Sequence, residues 1–106
     1  AIDTERCRPL IARGTGGLSG PAIRPVGVAC TWKVAKAVKI PVIGLGGISS
    51  PGDALEYLLA GASAIQIGTA LFADPRAPLE ILEGIVEWMK RKNVANVKDI
   101  ASLLEF

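Results

Sequence analysis

The sequence predicts an α/β fold with parallel strands, the closing two strands of a (β/α)8 barrel with their flanking helices. Three observations predict it. An apolar run, Ile40-Pro41-Val42-Ile43-Gly44-Leu45, stops at Gly46-Gly47 and restarts as a helix-forming segment. A second run, Ala64-Ile65-Gln66-Ile67, stops at Gly68-Thr69-Ala70 and does the same. About twenty residues separate the two, the length of a strand–helix–strand crossover, which is right-handed and leaves its strands parallel. A strand that ends in glycine ahead of a helix offers bare amides to an anion, and the loops after strands seven and eight of such barrels commonly bind phosphate. The fold class therefore carries an expectation of a phosphate or nucleotide site.

The elements follow in order. Residues 1–13 alternate loosely, are rich in charge and contain Pro9, the pattern of a short hairpin or extended arm. Gly14-Thr15-Gly16-Gly17-Leu18-Ser19-Gly20 is a loop, whose glycines allow positive φ and close backbone approach. Pro21 opens the next helix, because its missing N–H would go unpaired in the first turn, and Pro25 delays the regular helix by a turn. Val28, Ala29, Trp32, Ala35 and Val38 then recur at helical spacing, with Lys33, Lys36 and Lys39 opposite. Ile40 to Leu45 reads as a parallel strand buried on both faces. Ser50-Pro51-Gly52-Asp53 supplies an N-cap serine, a proline at the first helical position and an acidic residue at the third. That helix carries Ala54, Leu55, Leu58 and Leu59, and Gly61 ends it. Ala64 to Ile67 is the next strand. Asp74-Pro75 and Pro78 lead into a long helix over 77–92, with Ile81, Leu82, Ile85 and Trp88 on its apolar face. Glu87 and Arg91 pair at i, i+4 on its outside, and Asn96 caps a terminal helix ending near Leu104.

A complete barrel takes about 250 residues, so a chain of 106 holds at most half of one. It is a single partial domain, with an arm and glycine-rich loop over 1–20 and a helix with two βα units over 21–106. Two strands leave one sheet face and both edges open. The sheet should therefore be completed by the N-terminal part of a barrel or by another copy of the chain. With 12 basic and 10 acidic residues the net charge is +2, which implies neither a nucleic-acid nor a membrane partner. Arg6, Arg8, Arg13 and Arg24 read as a solvated hairpin rather than an anion-steering patch. No apolar run reaches a membrane span and no signal peptide precedes the first helix, so a cytoplasmic protein is expected. The chain has no histidine, and Cys7 and Cys30 are far apart, which excludes a histidine-based triad here and argues against a metal site. Cys30 falls on the apolar face of its helix as a small core residue, while Cys7 lies in a polar, exposed segment.

At Gly46-Gly47 and Gly68-Thr69 the chemistry asks for the same thing. A phosphate held by main-chain amides needs backbone within about 2.9 Å of its oxygens, where a Cβ would obstruct. Thr69 adds a hydroxyl donor at the start of a helix. Ser49 and Ser50 read as helix caps before ligands, Gly44 as strand packing and Gly61 as a C-cap.

The stretch Gly16-Gly17-Leu18-Ser19-Gly20-Pro21-Ala22-Ile23-Arg24-Pro25, followed by IPVIGLGGISSPGDALEYLLAGASAIQIGTALF from Ile40, resembles the C-terminal part of dihydroorotate dehydrogenase. The likeness is greatest to the class 1 enzymes, and among them to the B type that works with an iron–sulfur flavoprotein subunit. It runs in order along nearly the whole chain. The resemblance implies a (β/α)8 barrel that holds FMN at its C-terminal mouth and oxidises dihydroorotate to orotate in pyrimidine synthesis. It implies that Gly20 lines the FMN site, that the amides of Gly46 and Gly47 hold the FMN phosphate after strand seven, and that Gly68 and Thr69 contact it after strand eight. The family's proton-abstracting cysteine or serine, its flavin-side lysine and its pyrimidine-binding asparagines belong to the N-terminal half. Neither Cys7 nor Cys30 matches that catalytic loop. No catalytic residue is therefore expected in this chain, which should be inactive unaided. Two alternatives stay open: an inert, self-associating half-barrel module, and part of another FMN- or sugar-phosphate-binding barrel enzyme.

Overall fold

A computed structural model describes residues 1–105. Strands β1 (Ile2–Asp3) and β2 (Arg8–Pro9) pair antiparallel, with Ile2 opposite Pro9 and Asp3 opposite Arg8. The Asp3 carboxylate accepts the amides of Glu5 and Arg6 at 3.1 and 3.0 Å and so holds the turn. Residues 4–19 are exposed throughout. The radius of gyration, 16.7 Å, exceeds the roughly 13 Å of a compact domain this long, because the hairpin and its loop extend away from the core.

A 3-10 turn at Pro21–Ile23 precedes helix α1 (Arg24–Ala37), the delay expected from Pro25. The buried stripe of α1 differs from the one its apolar residues suggest. Arg24, Gly27, Val28, Thr31, Trp32 and Ala35 are the residues turned toward the protein, with Thr31 the most buried, while Ala29, Cys30 and Val38 are exposed. Cys30 is thus a surface residue and not a core one. The stripe is rotated because Gly27, which hydrophobicity overlooks, packs directly against Tyr57, and Thr31 is buried one turn further on.

Strands β3 (Ile43–Leu45) and β4 (Ala64–Gln66) pair in parallel, with Ile43 opposite Ala64, Gly44 opposite Ile65 and Leu45 opposite Gln66. Helix α2 (Pro51–Leu59) crosses between them. Its Ser50 Oγ accepts the Asp53 amide at 3.2 Å. At its other end Gly61, with φ +104°, sends its amide to the Leu58 carbonyl, and the Ala62 amide reaches Tyr57 O at 3.0 Å. Both are the caps that Ser50 and Gly61 predict. The strands are covered on one face, not on both. Gly44 is buried, whereas Ile43 and Leu45 are 55% and 57% exposed on the opposite face. Helices lie against one side alone, so the alternation of a half-covered strand replaces the continuous burial expected of the run.

Short helix α3 (Ala70–Ala73) and long helix α4 (Ala77–Arg91) follow. Ile81 and Ile85 of α4 are buried and Trp88 is half-buried, but Leu82 is exposed. Among the described residues no ion pair joins Glu87 and Arg91; on this helix the pairing is Arg76 Nε to Glu80 Oε1, 4.0 Å apart. The terminal segment Val97–Leu103 is a 3-10 helix, and the Asn96 side chain does not cap it. Its Ile100 is fully buried. The core collects on α2, where Ala54, Leu55, Tyr57 and Leu58 meet Ile48, Ile81, Ile85 and Ile100.

Candidate functional site

Gly46 and Gly47 follow β3 in the left-handed region, with φ +118° and +70°. Gly47 must also be small: a Cβ there would stand 2.8 Å from the Gly20 carbonyl oxygen and 3.0 Å from the Arg24 amide nitrogen. The turn after β3 is thus pressed against the loop that leads into α1. Gly20 needs its own glycine, with φ +95°. After β4, Gly68 carries no such requirement. Its φ is ordinary, and an added Cβ would meet nothing within 4 Å. Among the described residues nothing explains a bare backbone at Gly68.

The five predicted residues, Gly20, Gly46, Gly47, Gly68 and Thr69, all line one cavity of about 480 Å³ outside the carboxyl ends of β3 and β4. Leu18, Ser19, Ile23 and Gln66 complete much of its wall, and Ser49 reaches it as well. Among the described residues no charged side chain lines it. Gly47, Gly68 and Thr69 give their amides to none of the backbone bonds that close the turns and loops. Thr69 sits at the N-cap of α3, and its side chain makes no cap bond, which leaves its hydroxyl free to face a ligand. The donors available are therefore neutral: amides, the Ser19 and Thr69 hydroxyls and the Gln66 carboxamide.

Two residues support this wall from beneath, in roles their sequence positions did not assign. The first is Tyr57, fully buried on α2. Its hydroxyl donates to the Gly46 carbonyl at 2.7 Å, with Leu45 O at 3.3 Å. Its ring fills the space a Cβ at Gly44 would need, 2.5 Å from Cδ1, and its hydroxyl occupies the position a Cβ at Gly27 would take. Burial pushes its phenol above the ordinary value. The sequence signal was a glycine set inside a β-branched run, a hole shaped for a ring. The second support is Asp53. One carboxylate oxygen accepts from Arg24 Nη1, and the other accepts the Ser49 amide and Ser49 hydroxyl, each at 3.0 Å. Burial alone would raise its pKa, but the Ser49 amide, the Ser50 and Ser49 side chains and the Arg24 charge together hold it below the ordinary value. Arg24 Nε, buried, lies 3.3 Å from Glu56 Oε2 without the alignment of a hydrogen bond. Arg24 therefore leaves the solvated group of arginines and joins the frame of the site.

This arrangement defines a class: parallel α/β units with a ligand cavity outside the carboxyl ends of their strands. The family model described as dihydroorotate dehydrogenase matches residues 1–89, and the chain belongs to that family. Dihydroorotate dehydrogenase B (NAD(+)), catalytic subunit, of Trichlorobacter lovleyi is 54% identical over 105 residues, covering 99% of this chain and 34% of that protein. A protein of Solibacter usitatus named putative dihydroorotate dehydrogenase A (fumarate) is 50% identical over 106 residues, covering all of this chain and 35% of its own length. Among solved structures, DHODH from Eimeria tenella in complex with ferulenol aligns with a TM-score of 0.77 at 27% identity, over 84% of this chain and 24% of that one. The chain thus spans about a third of the length of the curated relatives it matches. Among the described residues no helix is long and apolar enough to cross a membrane, and no group of His, Cys, Asp and Glu could hold a metal ion.

Proposed function

We propose that this chain supplies the FMN-phosphate grip of a dihydroorotate dehydrogenase, its β3 and β4 being strands seven and eight of the (β/α)8 barrel. The whole enzyme oxidises dihydroorotate to orotate in the cytoplasm. It passes electrons to an iron–sulfur flavoprotein subunit, as the B-type catalytic-subunit name of the relatives suggests. The proton-abstracting base and the pyrimidine-binding groups come from the remainder of the barrel. When bound, FMN supplies the hydride acceptor.

One observation carries this reading: Gly68 is a glycine that none of the described residues requires, at a cavity that Gly20, Gly46, Gly47 and Thr69 also line. A ligand that approaches the backbone supplies the missing reason. The donor set fits a phosphate, since unengaged amides at consecutive turns make an anion-binding concavity without formal charge. Within the enzyme the residues of this chain bind and orient. The amides of Gly47 and Gly68 and the Thr69 hydroxyl hold phosphate oxygens, and Gly20 keeps the facing loop close.

The test is Gly68→Val in the full-length protein. FMN affinity should fall by about ten- to a hundredfold, the worth of one charge-assisted hydrogen bond lost when a Cβ displaces the phosphate, and the apoprotein melting point is read alongside. Undiminished FMN content at equal stability would end the phosphate-site reading.

A further inference from the structure

Arg24 opens α1 directly behind the loop that contributes Leu18, Gly20 and Ile23 to the cavity, and Asp53 sits in the first turn of α2 behind the Gly46–Ser49 turn. The two side chains meet as an ion pair across that gap. Asp53 is buried and its carboxylate is engaged at both oxygens, by Arg24 on one and by the Ser49 amide and hydroxyl on the other. Neither charged group lines the cavity. Backbone contact runs along the same line, since Gly47 lies so close to Gly20 and Arg24 that a Cβ would not fit.

We propose that Arg24 and Asp53 are positioning residues that clamp the Gly20 loop to the Gly46–Ser49 turn and so set where the turn's amides meet a phosphate. This rests on the proposed phosphate site. A carboxylate held by donors on both oxygens ties its two partners together, and a guanidinium holds a planar direction that an ammonium does not. Loss of Arg24 leaves the buried Asp53 carboxylate without its counter-charge, loss of Asp53 leaves Arg24 with Glu56 alone, and either lets the turn move relative to the loop. A group that orients ligand-binding atoms from behind is commonly worth about tenfold or more in affinity.

The experiment compares FMN with riboflavin, which lacks the phosphate, by titrating apoprotein of the full-length enzyme with each. The parent protein should prefer FMN strongly. Arg24→Gln and Asp53→Asn should each cut that preference by about tenfold, through weaker FMN binding with riboflavin binding little changed. Arg24→Lys, which keeps the charge and loses the planar fork, should cut it less, by about threefold. A merely structural role would lower both affinities together and leave the ratio unmoved, which overturns the clamp. Should Arg24→Gln and Asp53→Asn fail to fold, an unchanged ratio in Arg24→Lys overturns it as well. A parent protein that binds riboflavin as tightly as FMN would instead overturn the phosphate site itself.

Discussion

Tyr57 shows how much of this molecule turns on single side chains. Its ring packs under Gly44 and its hydroxyl holds the Gly46 carbonyl at 2.7 Å, so one residue joins α2, β3 and the turn of the cavity. Tyr57→Phe removes the donor and leaves a buried carbonyl without its partner. We expect a loss of about 1–2 kcal/mol in urea unfolding of the full-length protein. An unchanged midpoint would mean that water or a shifted turn replaces the bond. Asp53 makes a second prediction, on pH. Its folded-state pKa lies below the ordinary 3.8, so the stability it contributes is complete above that value and disappears as pH falls through the lower folded value. Asp53→Asn should be less stable than the parent near neutrality. The gap should close as pH drops below 3.8, and a gap that stays constant would refute the linkage.

At the scale of elements, α2 was the most legible part of the chain, because its signals are local. Ser50, Pro51 and Gly61 each act within a turn of where they stand, and the structure places both caps as those residues predict. Ser50→Ala should cost about 1 kcal/mol, and Ser50→Gly only a few tenths, by chemical denaturation. Equal costs would mean that the side chain is not the cap. Helix α1 was less legible. Periodicity placed its helix but misplaced its face, since Arg24, Gly27 and Thr31 face inward for reasons of fit and pairing that an apolar count does not see. The terminal segment kept its position. The expected terminal helix is present as a 3-10 helix tethered by buried Ile100, without the side-chain cap expected of Asn96.

For the molecule as a whole, the open sheet face dominates. Ile43 and Leu45 are more than half exposed on one side of a two-stranded parallel sheet, and both strand edges remain unpaired among the described residues. Such an arrangement is marginal by itself and invites pairing. Prepared alone, the 106-residue chain should sediment well above its 11.0 kDa monomer mass, and Ile43→Lys with Leu45→Lys should reverse this. A monomer at every concentration would show that the face is tolerated. In the full-length protein the same pair should instead destabilise, on the proposed assignment that puts this face inside the barrel.

The sequence by itself determined the order of elements, the two glycine-ended strands, the caps of α2 and the family, because each depends on neighbours along the chain. The five candidate residues Gly20, Gly46, Gly47, Gly68 and Thr69 were also visible there as chemistry. Tertiary structure decided that they share one cavity, and that three of the glycines are demanded by backbone conformation or packing while Gly68 is not. It also decided that Arg24 and Asp53 meet across 29 residues of sequence. The reason is physical. Which helix face turns inward, and which distant side chains touch, follow from how whole elements rotate and close on one another.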